Sequence, residues 1–283
     1  AGIATAGAII GGSKSVGNFS SFESGMKSIQ AVTQASTKDM AALEGLIEQL
    51  AFNTKFDLTD IQGAIFNLGT LGVKADNNAK QFKQLAPQIV NAAIALDIDL
   101  ASAAEKVLST MKQFDTPFEK AESVVDLMAG AYVNSSVNAE RFSVSMQFAG
   151  LAAKTFKRPL EDILPIIMSL IDQGIDASMA GSQMRTAFLN LLKPTAGAQA
   201  AIESMGLGLE DVSVESHGFI GVLEKLRNKG LTATQAVEIF GVRSAPMIQA
   251  LLNMKKEGKV GIAVLKDYQE KITKTGIAKQ NAA

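Results

Sequence analysis

The segment STKDMAALEGLIEQLAFN, Ser36 to Asn53, sets Leu43, Leu46, Ile47 and Leu50 at three- and four-residue spacing and puts Lys38, Asp39, Glu44 and Glu48 between them. That spacing is the period of an amphipathic helix, and Thr37 is its expected N-cap because a hydroxyl can accept one of the free amide hydrogens of the first turn. The next helix is expected after Asp57, carrying Asp60, Ile61, Ile65 and Leu68 to an end at Gly69 and Gly72, since glycine enters the left-handed conformation of a helix stop at little cost. A third carries Phe82, Leu85, Ile89 and Ile94, with Pro87 as a kink or break.

The same pattern predicts helices over 99–114, 117–132, 138–156, 159–174, 178–192, 196–205, 218–228, 232–240, 245–256 and 262–275. Pro117, Pro159 and Pro246 are expected at helix starts, where a missing amide hydrogen is harmless. No sustained stretch alternates with the period of a half-buried strand, so the fold class is all-α: a compact multi-helix bundle of stacked helical hairpins. A weak internal repeat relates Leu58, Asp60, Gly72, Val73 and Ala75 to Leu160, Asp162, Gly174, Ile175 and Ala177. Stacked hairpins would produce it, as would chance similarity between two amphipathic hairpins.

The opening Ala1 to Gly12 is a Gly/Ala-rich apolar run of the kind found inside a longer polypeptide. It is too short to cross a bilayer, which takes about 20 residues, and lacks the flanks of a signal peptide. It is read either as a buried or flexible strip or as the end of a longer membrane-active segment. The expected organisation is therefore an apolar segment at 1–20, a helical domain at 21–258, and a helix leading onward at 259–283.

Composition narrows the chemistry. Net charge is −1, from 27 basic and 28 acidic residues that are scattered rather than blocked, so nothing points to sequence-specific nucleic-acid binding. With no cysteine and no tryptophan, thiol chemistry is excluded and the usual lining of a sugar groove is absent. His217 is the single histidine, beside Glu215, Ser216 and Gly218, and reads as a loop residue on the solvent side. One histidine supports neither a zinc site nor a catalytic triad. The pairs Asp57 and Asp60, Asp97 and Asp99, and Glu210 and Asp211 are expected at helix starts, where capping and the helix dipole account for them. Gly206-Leu207-Gly208 lacks the third glycine and the preceding strand of a dinucleotide loop. Catalytic, cofactor and metal sites are all expected to be absent. The methionines, among them Met26, Met40, Met111, Met128, Met146, Met168, Met179, Met184 and Met247, fall largely at core-facing positions. Ile163 to Ile171 is apolar on more than one side, which predicts burial between layers or between chains.

Several phrases, taken in order, resemble the conserved region of phage tail tape measure proteins: Phe22-Glu23-Ser24-Gly25-Met26 with the following Ala31-Val32, then Leu50-Ala51-Phe52-Asn53-Thr54-Lys55-Phe56. The likeness continues through Ala92 to Leu100 and Ala131 to Asn138, is clearest over Gly174-Ile175, Ala180-Gly181, Arg185, Leu189, Leu192 and Pro194-Thr195, and ends at Phe240-Gly241 with Ala245. It covers 22–252. Pro165 departs from the alanine usual there and is expected to bend its helix.

The resemblance implies a structural protein of the virion that occupies the tail lumen or tip, helps set tail length and initiate tube assembly, and leaves during genome delivery. Implied partners are tail tube and tail tip, hub or baseplate proteins, tail assembly chaperones, further copies of the chain as a homotrimer, and a host membrane during ejection. Assembly in the host cytoplasm is implied as well. Two other readings stand beside it: a generic helical scaffold or interaction module, and a peptidoglycan-degrading domain. The latter would use Glu203, since Ile202-Glu203-Ser204 resembles the catalytic phrase of lysozyme-like transglycosylases, although the downstream phrase of that family is missing.

Overall fold

The computed structural model of the protein describes residues 15–274 and 276–282, so the expectations for Ala1 to Gly12 lie outside the described residues. The described chain is all-α apart from one short hairpin, and it divides into two units.

The first unit comprises the described part of Ala1–Val90 together with Leu100–Glu105. It holds α1 (Ser15–Thr33), α2 (Thr37–Asn53) and α3 (Leu58–Thr70), which pack on one another. The apolar face of α2 is the expected one, with Leu43, Leu46, Ile47 and Leu50 buried. Its cap is Ser36 rather than Thr37: the Asp39 amide donates to the Ser36 hydroxyl, and Thr37 is already helical. Asp57 and Asp60 form a reciprocal capping box at the start of α3. Gly69 does not end α3 but lies inside it, where a Cβ would come within 2.9 Å of Val32 and Thr33 side chains. It therefore permits the close approach of α1, and the helix stop falls to Gly72 alone, at φ 93°. Asn77, Asn78 and Ala79 are all left-handed (φ 48°, 63° and 55°), and the Asp39 carboxylate accepts the Asn78 amide hydrogen at 2.8 Å.

The boundary between the units runs through α4 (Lys80–Ala95, with Pro87 inside it) and α5 (Leu100–Gln113). Among the described residues no single helix is long and apolar enough to cross a membrane. Only α4 and α5 together reach that length, and they meet at a bend of 114°.

The second unit continues with α6 (Ala121–Asn134), α7 (Ala139–Thr155), α8 (Leu160–Asp172), α9 (Ala177–Leu192), α10 (Ala196–Ser204), α11 (Val214–Asn228) and α12 (Ala233–Asn253). It closes with β1 (Lys255–Lys256), β2 (Lys259–Val260), α13 (Ile262–Ile272) and α14 (Ile277–Ala282). At its centre is α8, buried without interruption from Ile163 to Ile171 and packed by α6, α9, α12 and α13. Each fully buried Ile or Leu there contributes about 2 kcal/mol of transfer free energy. Pro165 is accommodated inside α8, and the Ser169 hydroxyl donates to its carbonyl at 2.7 Å. A row of rings, Phe156 to Phe188 to Phe219 to Phe240 with centroids 5.3, 4.8 and 6.3 Å apart, ties α9, α11 and α12 to the end of α7.

One turn recurs through both units. α3, α4, α5, α7, α8, α10 and α11 each end on a left-handed residue, in order Gly72, Asp97, Asp115, Lys157, Gly174, Gly206 and Gly230. In each the following amide donates five residues back, as Val73 does to Leu68 and Ile175 to Leu170, both at 3.0 Å. This is the Schellman closure, which satisfies carbonyls a helix end would otherwise leave bare. In five cases the next cap stands two residues on: Pro117, Pro159, Asp176, Gly208 and Thr232. The repeat signal of Gly72-Val73 and Gly174-Ile175 is thus one instance of a turn used throughout.

Three expectations need correction. Asp97 closes α4 in the left-handed conformation rather than opening a helix, a conformation aspartate tolerates better than most residues. The helix expected to reach Lys256 stops at Asn253, and Lys255–Lys256 instead pairs antiparallel with Lys259–Val260 through left-handed Glu257 and Gly258. Pro246 lies within α12, because the break is at Gly241 (φ 78°), several residues earlier than the expected start. Pro117 and Pro159 serve as caps.

Candidate functional site

The residues singled out in the sequence are not brought together. Glu203 is exposed on α10, without the apolar enclosure that would make a carboxyl a general acid. His217 lies in the first turn of α11, just before left-handed Gly218, rather than in a loop. Its Nε2 is 3.0 Å from Lys225 Nζ, which also donates to Asp211 at 3.0 Å. Asp211 in turn accepts the Gly208 amide hydrogen, and that bond, ahead of the one from Lys225, holds its carboxyl below the usual range. This is a capped, ion-paired corner. Met179, expected in the core, is half exposed, whereas Met111, Met128, Met146, Met168, Met184 and Met247 are buried. Among the described residues no three His, Asp or Glu side chains converge as metal ligands.

The sequence pattern did not reveal a set of separate carboxylates that hold the segment after α12. Asp172, the last residue of α8, accepts from Lys256 Nζ of β1 at 2.6 Å, from the Tyr268 hydroxyl of α13, and from the Ser136 amide at 2.6 Å. Lys256 also donates to the Tyr268 oxygen at 2.6 Å and to the Asn134 carbonyl at the end of α6 at 3.3 Å. Burial by itself raises the Asp172 carboxyl; the hydrogen bonds from Lys256, Tyr268 and Ser136 together outweigh it and hold the group below the usual range. Burial first, and the neighbouring Asp172 second, push the Tyr268 hydroxyl well above an ordinary phenol. An open cavity of 420 Å³ lies against this cluster, lined by Ser136, Asp172, Gln173, Met254, Lys255 and Lys256.

Two further carboxylates hold the same C-terminal segment. Asp126 of α6, 5% exposed, accepts the amide hydrogens of Gly276 at 2.7 Å and Ala278 at 3.0 Å and so caps α14. Asp162 of α8 pairs with Arg158 and accepts from Gln269 of α13 at 2.9 Å. Close packing completes the arrangement: a Cβ on Gly130 would stand 3.0 Å from the Ile272 Cα, so α13 ends directly against α6. The segment from Lys255 to the start of α14 is therefore clasped by three acids from two helices.

A sequence signal for this clasp exists. An acid ending an apolar helix, as Asp172 does, faces the unfavourable end of the helix dipole and calls for a cation. An acid amid Val125, Leu127 and Met128, as Asp126 is, calls for buried donors.

The arrangement defines an all-α protein built from short helices closed by one repeated turn, with α13 and α14 fastened by carboxylates. The chain belongs to the phage-related minor tail protein family, whose pattern residues 34–241 match. It is 22% identical over 253 residues to the tape measure protein of Pneumococcus phage Dp-1, covering 86% of this chain and 21% of that protein. It is 23% identical over 230 residues to the probable tape measure protein of Escherichia phage P2, covering 78% of this chain and 28% of the relative. The resemblance to phage tail tape measure proteins is thus borne out, and the chain spans between a fifth and a third of its relatives' length. No solved structure matches it.

Proposed function

We propose that this chain is a folded helical region of a tape measure protein, a structural component of the phage tail, and that it acts by assembly rather than catalysis. In this reading it sits in the tail lumen or at the tip, helps set tail length and initiate the tube, and leaves during genome delivery. The observation that carries the reading is the recurring turn. A ruler extended along the lumen is best made of a long helix rising about 1.5 Å per residue, whereas here seven helices end in the same closure and the longest unbroken helix among the described residues, α1, has 19 residues. Such a region suits a folded part near one end of the tape.

The partners of this region are tube proteins, tip, hub or baseplate proteins, tail assembly chaperones, other copies in a homotrimer, and a host membrane during ejection. Glu203, being exposed, gives a wall-degrading activity no support.

The test is an in-frame deletion of the codons for Asp57 to Leu192 in the parent gene, with tails imaged and infectivity measured. Absent, misshapen or length-altered tails, or normal tails that fail to deliver DNA, are expected. Unchanged particles, lengths and infectivity would favour a generic helical module.

A further inference from the structure

α9 carries a single charged side chain, Arg185, in its 16 residues. Its buried arc includes Gly181, Met184, Phe188 and Leu191. On one flank it meets α7, where a Cβ on Gly181 would stand 2.4 Å from the Ser145 carbonyl oxygen and 3.0 Å from Phe148 Cβ. On the other it meets α12, where Asn190 donates to the Phe240 carbonyl at 2.7 Å and Ser244 to the Gln183 carbonyl at 3.0 Å. Between those flanks Arg185, Leu189 and Leu192 recur at helical spacing and face outward, with Leu192 55% exposed. Leu151 (64% exposed), one turn beyond Phe148, extends the apolar surface onto α7, and Val242 (76%), next to Gly241, extends it onto α12.

The charges that flank the ridge on α9 and just after the break in α12 are both cationic. Arg185 and Arg243 are exposed, and neither has a side-chain partner among the described residues. The acids that flank these helices, Asp176 before α9 and Glu238 in the first half of α12, lie at helix starts. Asp176 accepts the amide hydrogens of Ser178 and Met179, and Glu238 lies 2.8 Å from where a Cβ of Gly197 would stand, at the opening of α10. An apolar ridge bordered by unpaired cations is complementary to an apolar stripe bordered by anions. A symmetric contact with a second copy about the Arg185 ridge would set arginine against arginine.

We propose that this face of α7, α9 and α12 is a docking site for an amphipathic helix of another polypeptide whose leucine-type stripe is flanked by Asp or Glu. A helix is the fitting occupant because ridges at four-residue spacing interdigitate with those of a second helix. The proposal goes beyond the tail reading and does not depend on it.

The test uses the purified full chain and two labelled helical peptides of about five turns. They share one leucine stripe and differ only in carrying Glu or Lys on its flanks, and binding is followed by fluorescence anisotropy. The Glu peptide is expected to bind at least about tenfold more tightly and to weaken with salt. Arg185→Glu combined with Arg243→Glu should invert the preference, and Leu189→Ser should weaken both peptides. All three positions are exposed, and unchanged thermal melts confirm that the variants fold. The proposal is overturned by equal affinity for the two peptides or by no binding of the Glu peptide. Self-association of the chain that Leu189→Ser abolishes would overturn it in favour of a second copy. Binding of phosphatidylglycerol vesicles or duplex DNA in place of the peptide would overturn it in favour of those ligands.

Discussion

The ammonium of Lys256 lies 2.6 Å from the carboxylate of Asp172, joining the strand after α12 to the C-terminal end of α8 across 84 residues of sequence. The Tyr268 hydroxyl donates to the same oxygen. Because the Asp172 side chain is only 14% exposed, removing its charge strands Lys256 beside a buried phenol. Asp172→Ala is therefore expected to cost about 2–3 kcal/mol, read from urea unfolding. Tyr268→Phe, which keeps the ring and loses one donor, should cost about 1 kcal/mol.

The same carboxyl makes a prediction about pH. Its folded pKa lies below the reference value of 3.8, so its contribution is complete above that value and is lost as pH falls through the lower, folded pKa. Unfolding midpoints of the native chain should fall between neutral pH and a pH below about 4, and Asp172→Asn should show a shallower decline over that window. Parallel curves would mean that Asp172 ionisation is not linked to folding.

Asp126 holds α14 through two backbone amides, at Gly276 and Ala278, about 150 residues distant. Asp126→Ala should free those amides, so their hydrogen exchange accelerates towards that of an unfolded chain end while amides in α8 stay protected. If all amides accelerate together, the C-terminal segment is part of the global unfolding unit instead of a separately opening one.

The helices and their buried faces were legible because their signals are local: Leu43, Leu46, Ile47 and Leu50 needed only period and spacing, and Gly174 only its place after an apolar run. The clasp was not, because Asp126, Asp162 and Asp172 find their partners in the C-terminal segment more than 80 residues away, and nothing within one helix names those partners. The hairpin at Lys255 to Val260 was missed because strands of two residues have no period to detect, though Glu257-Gly258 marks the turn. Asp97 was misplaced because aspartate serves both caps and left-handed stops, and sequence spacing alone does not separate the two.

The cap of α2 offers a direct comparison of neighbours. The Ser36 hydroxyl receives the Asp39 amide hydrogen, whereas Thr37 is the first helical residue and caps nothing. Ser36→Ala should lower stability by about 1 kcal/mol, and Thr37→Ala should leave it within about 0.5 kcal/mol, since alanine suits a helical position. Thermal unfolding of the two variants distinguishes the assignments; the reverse order would restore Thr37 as the cap.

Two glycines inside helices should respond to the same substitution with opposite signs. Gly45 is exposed on α2, and a Cβ there would meet nothing within 4 Å. Gly45→Ala should therefore stabilise the chain by about 0.5–1 kcal/mol, through the smaller entropy of the unfolded state and the better helix propensity of alanine. Gly181 faces the backbone of α7, where a Cβ would stand 2.4 Å from the Ser145 carbonyl oxygen, so α7 and α9 must separate to admit a methyl group. The obstacle is backbone and not a flexible side chain, and the expected cost of Gly181→Ala is about 2–3 kcal/mol. Because Phe148 sits at the same joint, that separation should also disturb the exposed α7 and α9 surface, so Gly181→Ala should weaken binding of the Glu-flanked peptide while Gly45→Ala leaves it unchanged. Urea unfolding and peptide titration of the two variants check both halves. Equal stability changes at the two positions would mean that α7 and α9 are less closely apposed than the Gly181 contact requires.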